Sequence, residues 1–179
     1  MIFTDMQRAR LDTIFKMFVD FMGGLQKPPI LSFDLPFNGM FGQSQGFGDN
    51  PKLYNTWGYA GHFGIDFLTP WGTEILAVDD GKIIRAGYNI YNGNFVEIEH
   101  DWGNSLYLHF KNLPIVTLGD KVKKRQALGY AGNTGTVYPK PTKQRPRAGT
   151  HLHFSIKING VENAEYKDFI DPQPYLKTN

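Results

Sequence analysis

The stretch His151-Leu152-His153-Phe154-Ser155-Ile156-Lys157-Ile158 has the length and composition of a β-strand from Leu152 to Ile158. In an extended chain alternate side chains share a face, so His151 and His153 project together while Leu152 and Phe154 enter the opposite layer. Two imidazoles on one strand face make half of a transition-metal site, or one ligand beside an acid–base group. An incidental structural pair has the same spacing, so this strand alone leaves both readings open.

A second segment, Gly61-His62-Phe63-Gly64-Ile65-Asp66-Phe67, sets His62 and Asp66 four residues apart. An extended or gently bent backbone carries both to one side, with Phe63, Ile65 and Phe67 on the other. His62, Asp66 and His153 together would offer two neutral imidazoles and one carboxylate, leaving a fourth place free. That is the donor pattern of catalytic rather than structural zinc. In Ser105-Leu106-Tyr107-Leu108-His109-Phe110 alternation gives Leu106, Leu108 and Phe110 the apolar face, and Tyr107 and His109 the opposite one. Tyr107 reads either as a groove residue beside His109 or as an exposed strand tyrosine. His100, the remaining histidine, closes the strand Phe95–Glu99 before a turn and reads as structural. No H-E-x-x-H occurs, so zinc chemistry carried on a helix is not indicated.

Working outward, Thr73–Ala77, Lys82–Ala86 and Asn94–Glu99 also have strand character. Turn signals separate these segments, including Asp79-Asp80-Gly81, Asn92-Gly93 and Asp101-Trp102-Gly103-Asn104. Short strands joined by tight turns predict a mainly β fold, a compact antiparallel sandwich- or barrel-like assembly. Residues 5–25 read differently. Leu11, Ile14, Phe15, Phe18, Met22 and Leu25 recur at helical spacing and predict a short amphipathic helix. It packs on its own domain or serves as an anchor for a partner chain or larger assembly. Pro28-Pro29 ends the pattern, dividing the chain into residues 1–30 and a domain over 31–179.

Bulk properties narrow the functions. The 179 residues contain no cysteine, which excludes disulfides, thiol catalysis and cysteine-bound zinc. A net charge of +2 is too small to argue for nucleic acid, though it would not hinder approach to an anionic surface. No apolar run approaches the ~20 residues of a membrane span. The opening MIFTDMQRAR lacks the pattern of a secretory signal.

The segments around His62, His109 and His153 resemble, in order, the signature of the lysostaphin-type zinc metallopeptidases. Gln45-Gly46-Phe47-Gly48, Val78-Asp79-Asp80-Gly81-Lys82-Ile83, Leu128-Gly129-Tyr130-Ala131-Gly132-Asn133-Thr134-Gly135 and Asp171-Pro172-Gln173-Pro174-Tyr175-Leu176 resemble the family's connecting text. The resemblance covers roughly residues 40–177, and several ordered motifs are more specific than any one. It implies a compact antiparallel β fold with a narrow groove, and one Zn2+ held by His62, Asp66 and His153. It further implies His109 and His151 as the two histidines of the site that do not bind metal. The implied activity is endopeptidase cleavage of the stem or cross-bridge of peptidoglycan. That places the protein at the bacterial cell wall, in the periplasm, outside the cell or on a phage particle.

Two features depart from the family's pattern. The run from Thr136 to Thr150 is longer than the family's usual link to its H-x-H, and Lys140, Lys143, Arg145 and Arg147 make it basic. It reads either as a wall of the groove that attracts anionic substrate groups or as a solvated loop. The N-terminal helix is the other departure. A non-catalytic, wall-binding relative is the competing function, but such relatives typically lose metal ligands, and all of the matching residues are present. A third reading keeps the chemistry within a phage lytic apparatus.

Overall fold

Asp79-Asp80-Gly81, Asn92-Gly93 and Asp101-Trp102-Gly103 each sit where a strand begins or the chain reverses, and strands fill the intervals. The computed structural model describes residues 31–177; the helix expected over residues 5–25 lies outside them. Nine strands are present among the described residues: β1 Gln43–Gln45, β2 Ile65–Phe67, β3 Glu74–Leu76, β4 Gly81–Asn89, β5 Gly93–His100, β6 Gly103–Phe110, β7 Lys121–Val122, β8 Ala127–Tyr130 and β9 Leu152–Ile158. One short α-helix, α1 Pro51–Tyr54, precedes β2. The expected span of β9 is matched, β4, β5 and β6 run longer than expected, and β3 is shorter.

Seven strands form one sheet in the order β1-β2-β9-β6-β5-β4-β7, and β3 pairs with β8 in a second, two-stranded sheet. Every pairing is antiparallel, as tight turns dictate. The small sheet covers one face of the large one. Phe110 from β6 lies against Gly129 of β8, and the Tyr107 hydroxyl accepts from the Val78 amide at 3.0 Å, just beyond β3. Leu152, Phe154 and Ile156 are buried, and Phe154 packs on Tyr107 with ring centroids 5.3 Å apart. The opposite face carries Phe95, Leu106, Leu108 and Phe169, against which Phe47, Tyr59, Phe63 and Tyr166 pack. The central strands are thus covered on both faces, which explains their nearly continuous burial.

Alternation breaks in β6. Val96 of β5 faces Tyr107, but Asn94, two residues away, faces Phe110, three residues on. The extra residue makes a β-bulge, and His109 there adopts the left-handed conformation at φ 68°. The bulge overturns the expected faces. Tyr107 is wholly buried beneath the sheet, while His109 joins Leu108 on the groove side. The apparent alternation of Tyr107 with His109 is a coincidence of sequence spacing, because one strand residue is spent on the bulge.

His100 is structural, as its place in the sequence implies. It is buried, stacked on Trp102 at 4.5 Å, and bonded by Nδ1 to the Asp80 carbonyl and by Nε2 to Ser105 Oγ, both at 2.7 Å. Burial lowers its pKa, against the opposing hydrogen bond to Asp80 and the charges of Asp79, Asp101 and Asp80. In the unfolded chain a histidine titrates near 6.5. Below that pH the unfolded state takes up a proton that folded His100 resists, so stability falls as pH drops from about 6.5 toward the lower folded value. His109 and His153 are shifted the same way. Thermal unfolding of wild type and His100→Gln between pH 7 and pH 5 should show a shallower decline in melting temperature for the variant.

Candidate metal centre and cleft

Register places the first two side chains. β2 pairs with β9 so that Asp66 lies opposite His153, and Leu108 of β6 lies opposite His153 on its other side. His62 comes from the segment that leads into β2. That segment hugs β9 because residue 64 is glycine: a Cβ there would sit 2.4 Å from the Phe154 carbonyl oxygen and 2.9 Å from His153 Nε2. Gly61 allows an equally close approach to Gly48 on the other side. The bend also corrects an expectation. Phe63 does not turn to the face of Ile65 and Phe67; its ring lies 4.6 Å from that of His153 and lines the groove. The chain is not a straight strand between His62 and Ile65, so simple alternation fails there.

The three donors converge. His62 Nε2 is 2.9 Å from His153 Nδ1 and 3.0 Å from Asp66 Oδ1, and His153 Nδ1 is 2.9 Å from the same oxygen. All three residues are buried. His62 Nδ1 lies 2.9 Å from the Gly46 carbonyl, which can only accept, so that nitrogen carries a proton and Nε2 is left with a lone pair. His153 Nε2 lies 2.6 Å from Ser155 Oγ; donating there frees Nδ1 in turn. A ring lone pair and a carboxylate oxygen 3.0 Å apart repel unless a positive charge, a proton or a metal ion, lies between them.

The charge states suit a metal. Burial pushes the Asp66 carboxyl up, but its close contacts with His153 and His62 and the charges of His153 and His151 prevail and hold it well below the usual carboxylate range. Burial pushes His153 down to about 4, despite Asp66. One carboxylate and neutral imidazoles are the ligand forms a divalent transition metal requires. Donor atoms in a tetrahedral site with bonds of about 2.0–2.1 Å lie roughly 3.3 Å apart. The observed separations are close to one face of such a tetrahedron, so the residues fit.

His109 and His151 lie beside this cluster, their ring centroids 4.6 Å apart. His109 Nδ1 donates to the Thr134 carbonyl and His151 Nδ1 to the Gly149 carbonyl, each at 2.8 Å. Each Nε2 is therefore free to accept, and that of His151 is 3.7 Å from Asp66 Oδ2. Burial first, then repulsion from His151 and His153, pushes His109 down to about 3. All five expected site residues are brought together.

Asp66, His109, His151 and His153 line a cleft of about 630 Å³, with His62 buried behind them. Leu53, Tyr54, Trp57 and Tyr59 form one wall, and Tyr91, Asn92 and Thr136–Tyr138 the other. Among the described residues, no lysine, arginine or glutamate lines it. The aromatic wall after Asn50 and the carbonyls of Thr134 and Gly149 were not singled out from sequence. Ser155 could have been, since it is two residues from His153 on the same strand face.

Residues 60–164 match the model of Peptidase family M23. The chain belongs to that family. It is 37% identical over 101 residues to the Vibrio cholerae peptidoglycan DD-endopeptidase ShyC, covering 56% of this chain and 21% of that protein. It is 32% identical over 136 residues to the glycyl-glycine endopeptidase ALE-1 of Staphylococcus capitis, covering 74% of this chain and 33% of that one. The solved catalytic domain of Staphylococcus simulans lysostaphin superposes with a TM-score of 0.58 at 27% identity, covering 75% of this chain and 91% of that one. This M23 chain spans 21% to 42% of the length of the first curated relatives it matches.

A β-carbon at position 64 tests how closely β2 must approach β9. Overpacking of this kind costs about 1–3 kcal/mol, so Gly64→Ala should lower the melting temperature by roughly 2–12 °C, measured by calorimetry.

Proposed function

We propose that this M23 domain is a zinc endopeptidase that hydrolyses peptide bonds in the stem or cross-bridge of bacterial peptidoglycan. On this reading it acts at the cell wall. His62, Asp66 and His153 hold the metal, and His109 and His151 handle protons. The observation that carries the proposal is the meeting of three buried donor atoms, 2.9–3.0 Å apart, beside the cleft. The names of the relatives supply the substrate class, since ShyC is a peptidoglycan DD-endopeptidase and ALE-1 a glycyl-glycine endopeptidase. An aromatic-walled cleft whose one described charged lining residue is the metal-site carboxylate Asp66 suits a peptide backbone with small neutral neighbours.

Bound zinc supplies a Lewis acid that polarises a carbonyl and lowers the pKa of water to about 7. The protein's own groups do the rest. The Gly46 carbonyl fixes the tautomer of His62, and Ser155 holds the His153 ring through Nε2, so both rings are oriented in advance. The Thr134 and Gly149 carbonyls do the same for His109 and His151, leaving Nε2 of each as a proton acceptor. Protonated at Nε2, either ring stays anchored through Nδ1 and can donate to a departing amine or to oxygen carrying negative charge. Burial holds the resting His109 ring in its neutral form. Phe63, Leu108 and Tyr54 give the cleft apolar surface beside the histidines.

Elemental analysis of the purified protein should find one zinc per chain. His153→Ala should lose both the metal and wall lysis, and chelation of wild type should abolish lysis and lower the melting temperature. A metal-free protein that still lyses walls would overturn the proposal. His109→Ala should retain zinc while kcat falls by about 10²–10⁴, measured on purified muropeptides with mass detection, which also identifies the bond cut.

A further inference from the structure

Four cations crowd the run from Thr136 to Thr150 and no acid accompanies them. The structure shows how that run is held. Buried Asn133 donates through Nδ2 to the carbonyls of Pro146 and Ala148, at 3.1 and 2.8 Å. Thr142 and Arg145 exchange backbone hydrogen bonds, both 3.2 Å, and Thr150 Oγ1 donates to the Arg147 carbonyl at 2.7 Å. Val137 is buried, and residue 149 is a glycine where a Cβ would lie 2.5 Å from the Pro139 carbonyl oxygen. The loop has no helix or strand, yet it is braced at both ends and across its middle. A merely solvated linker needs no such bracing.

Its position relates it to the cleft. Thr136, Val137 and Tyr138 line the wall beside His109 and His151, and the run ends directly before His151. Lys140, Lys143, Arg145 and Arg147 then stand exposed beyond that wall. Arg147 and Lys111 each lie 5.8 Å from the Trp71 ring, which brings a fifth cation to the same side. None of the five forms an ion pair among the described residues. Among the described residues, the cleft itself holds no lysine or arginine. The cations therefore serve whatever continues past the cleft, not the bond within it.

We propose that the 136–150 loop is a second substrate-binding element that grips the carboxylates of the polymeric wall where it extends from the cleft. The proposal rests on the peptidoglycan reading above and deepens it. Neutral peptide occupies the cleft, while free carboxylates of neighbouring stem peptides meet Lys140, Lys143 and Arg145. Exposed cations act at range and are screened by salt, so this contact raises the occupancy of polymer without touching the chemistry.

The test compares wild type, Lys140→Gln/Lys143→Gln and the control Lys82→Gln/Lys121→Gln. The control removes two exposed lysines from the β4–β7 edge, at the other end of β4 from the cleft. Purified sacculi stripped of phosphate-containing polymers serve for co-sedimentation, and a short neutral peptide substrate serves for turnover. At low salt the loop variant should bind sacculi about fivefold more weakly than wild type, the order expected from losing two exposed charge pairs. The control should match wild type, the difference should vanish at high salt, and the ratio of kcat/KM on sacculi to that on peptide should fall for the loop variant only. Equal binding by wild type and loop variant, or equal weakening in the control, overturns the proposal. A difference confined to sacculi that keep their phosphate polymers overturns it as well, assigning the loop to phosphate. Failure of wild type to cleave either substrate would instead strike the peptidoglycan reading itself.

Discussion

Asp66 faces His153 across the β2–β9 pair, and the rest of the site is arranged around that register. A slip of one residue in β2 would turn Asp66 to the opposite face, beneath the sheet, where Phe154 and Tyr107 are packed. Two things hold the register. Ile65 and Phe67 on one strand, and Leu152 and Phe154 on the other, are buried, so a slip would exchange apolar core for charge. Gly64 lets the chain before β2 lie against β9, which carries His62 to the same spot. The hydrophobic core and the polar cluster are thus two sides of one pairing.

Around this centre the protein fixes protons through its backbone. Gly46, Thr134 and Gly149 each offer a carbonyl to a histidine Nδ1, and Ser155 offers a hydroxyl to His153 Nε2. Carbonyls held in a folded chain do not rotate as side chains do, so ring orientation and tautomer are set before any ligand arrives. The cost is carried elsewhere. His109 sits in the left-handed region at a bulge, a conformation that disfavours most side chains by about 1–2 kcal/mol. Covered strands on both sides hold it there. Strain beside the candidate metal centre, over-determined by packing around it, accords with the general pattern.

The cleft and its surroundings divide by charge. Inside, aromatic and amide side chains accompany the histidines and Asp66; outside, on the side of the 136–150 loop, cations stand without acidic partners among the described residues. On the proposed reading, such a division separates local recognition of a bond from capture of a larger anionic body. It also explains why a chain of net charge +2 can present a distinctly basic flank.

Much of this was legible in the sequence. Strand length and turn residues gave an antiparallel fold, and three ordered motifs indicated the family that residues 60–164 match. The H-x-H on β9 and the H-x-x-x-D before β2 pointed to the side chains that converge, because period-two geometry holds along a regular strand. The same rule misplaced Tyr107 and Phe63. A bulge and a glycine bend break the period without altering composition, and both exist to satisfy contacts with distant strands. The sequence by itself thus determined which side chains are candidates for the site and what kind of sheet they lie on. Only the tertiary structure decided which faces meet, which carbonyl orients each ring, and that the basic run borders the cleft. Those outcomes depend on pairings between segments as much as 91 residues apart, which local patterning does not encode.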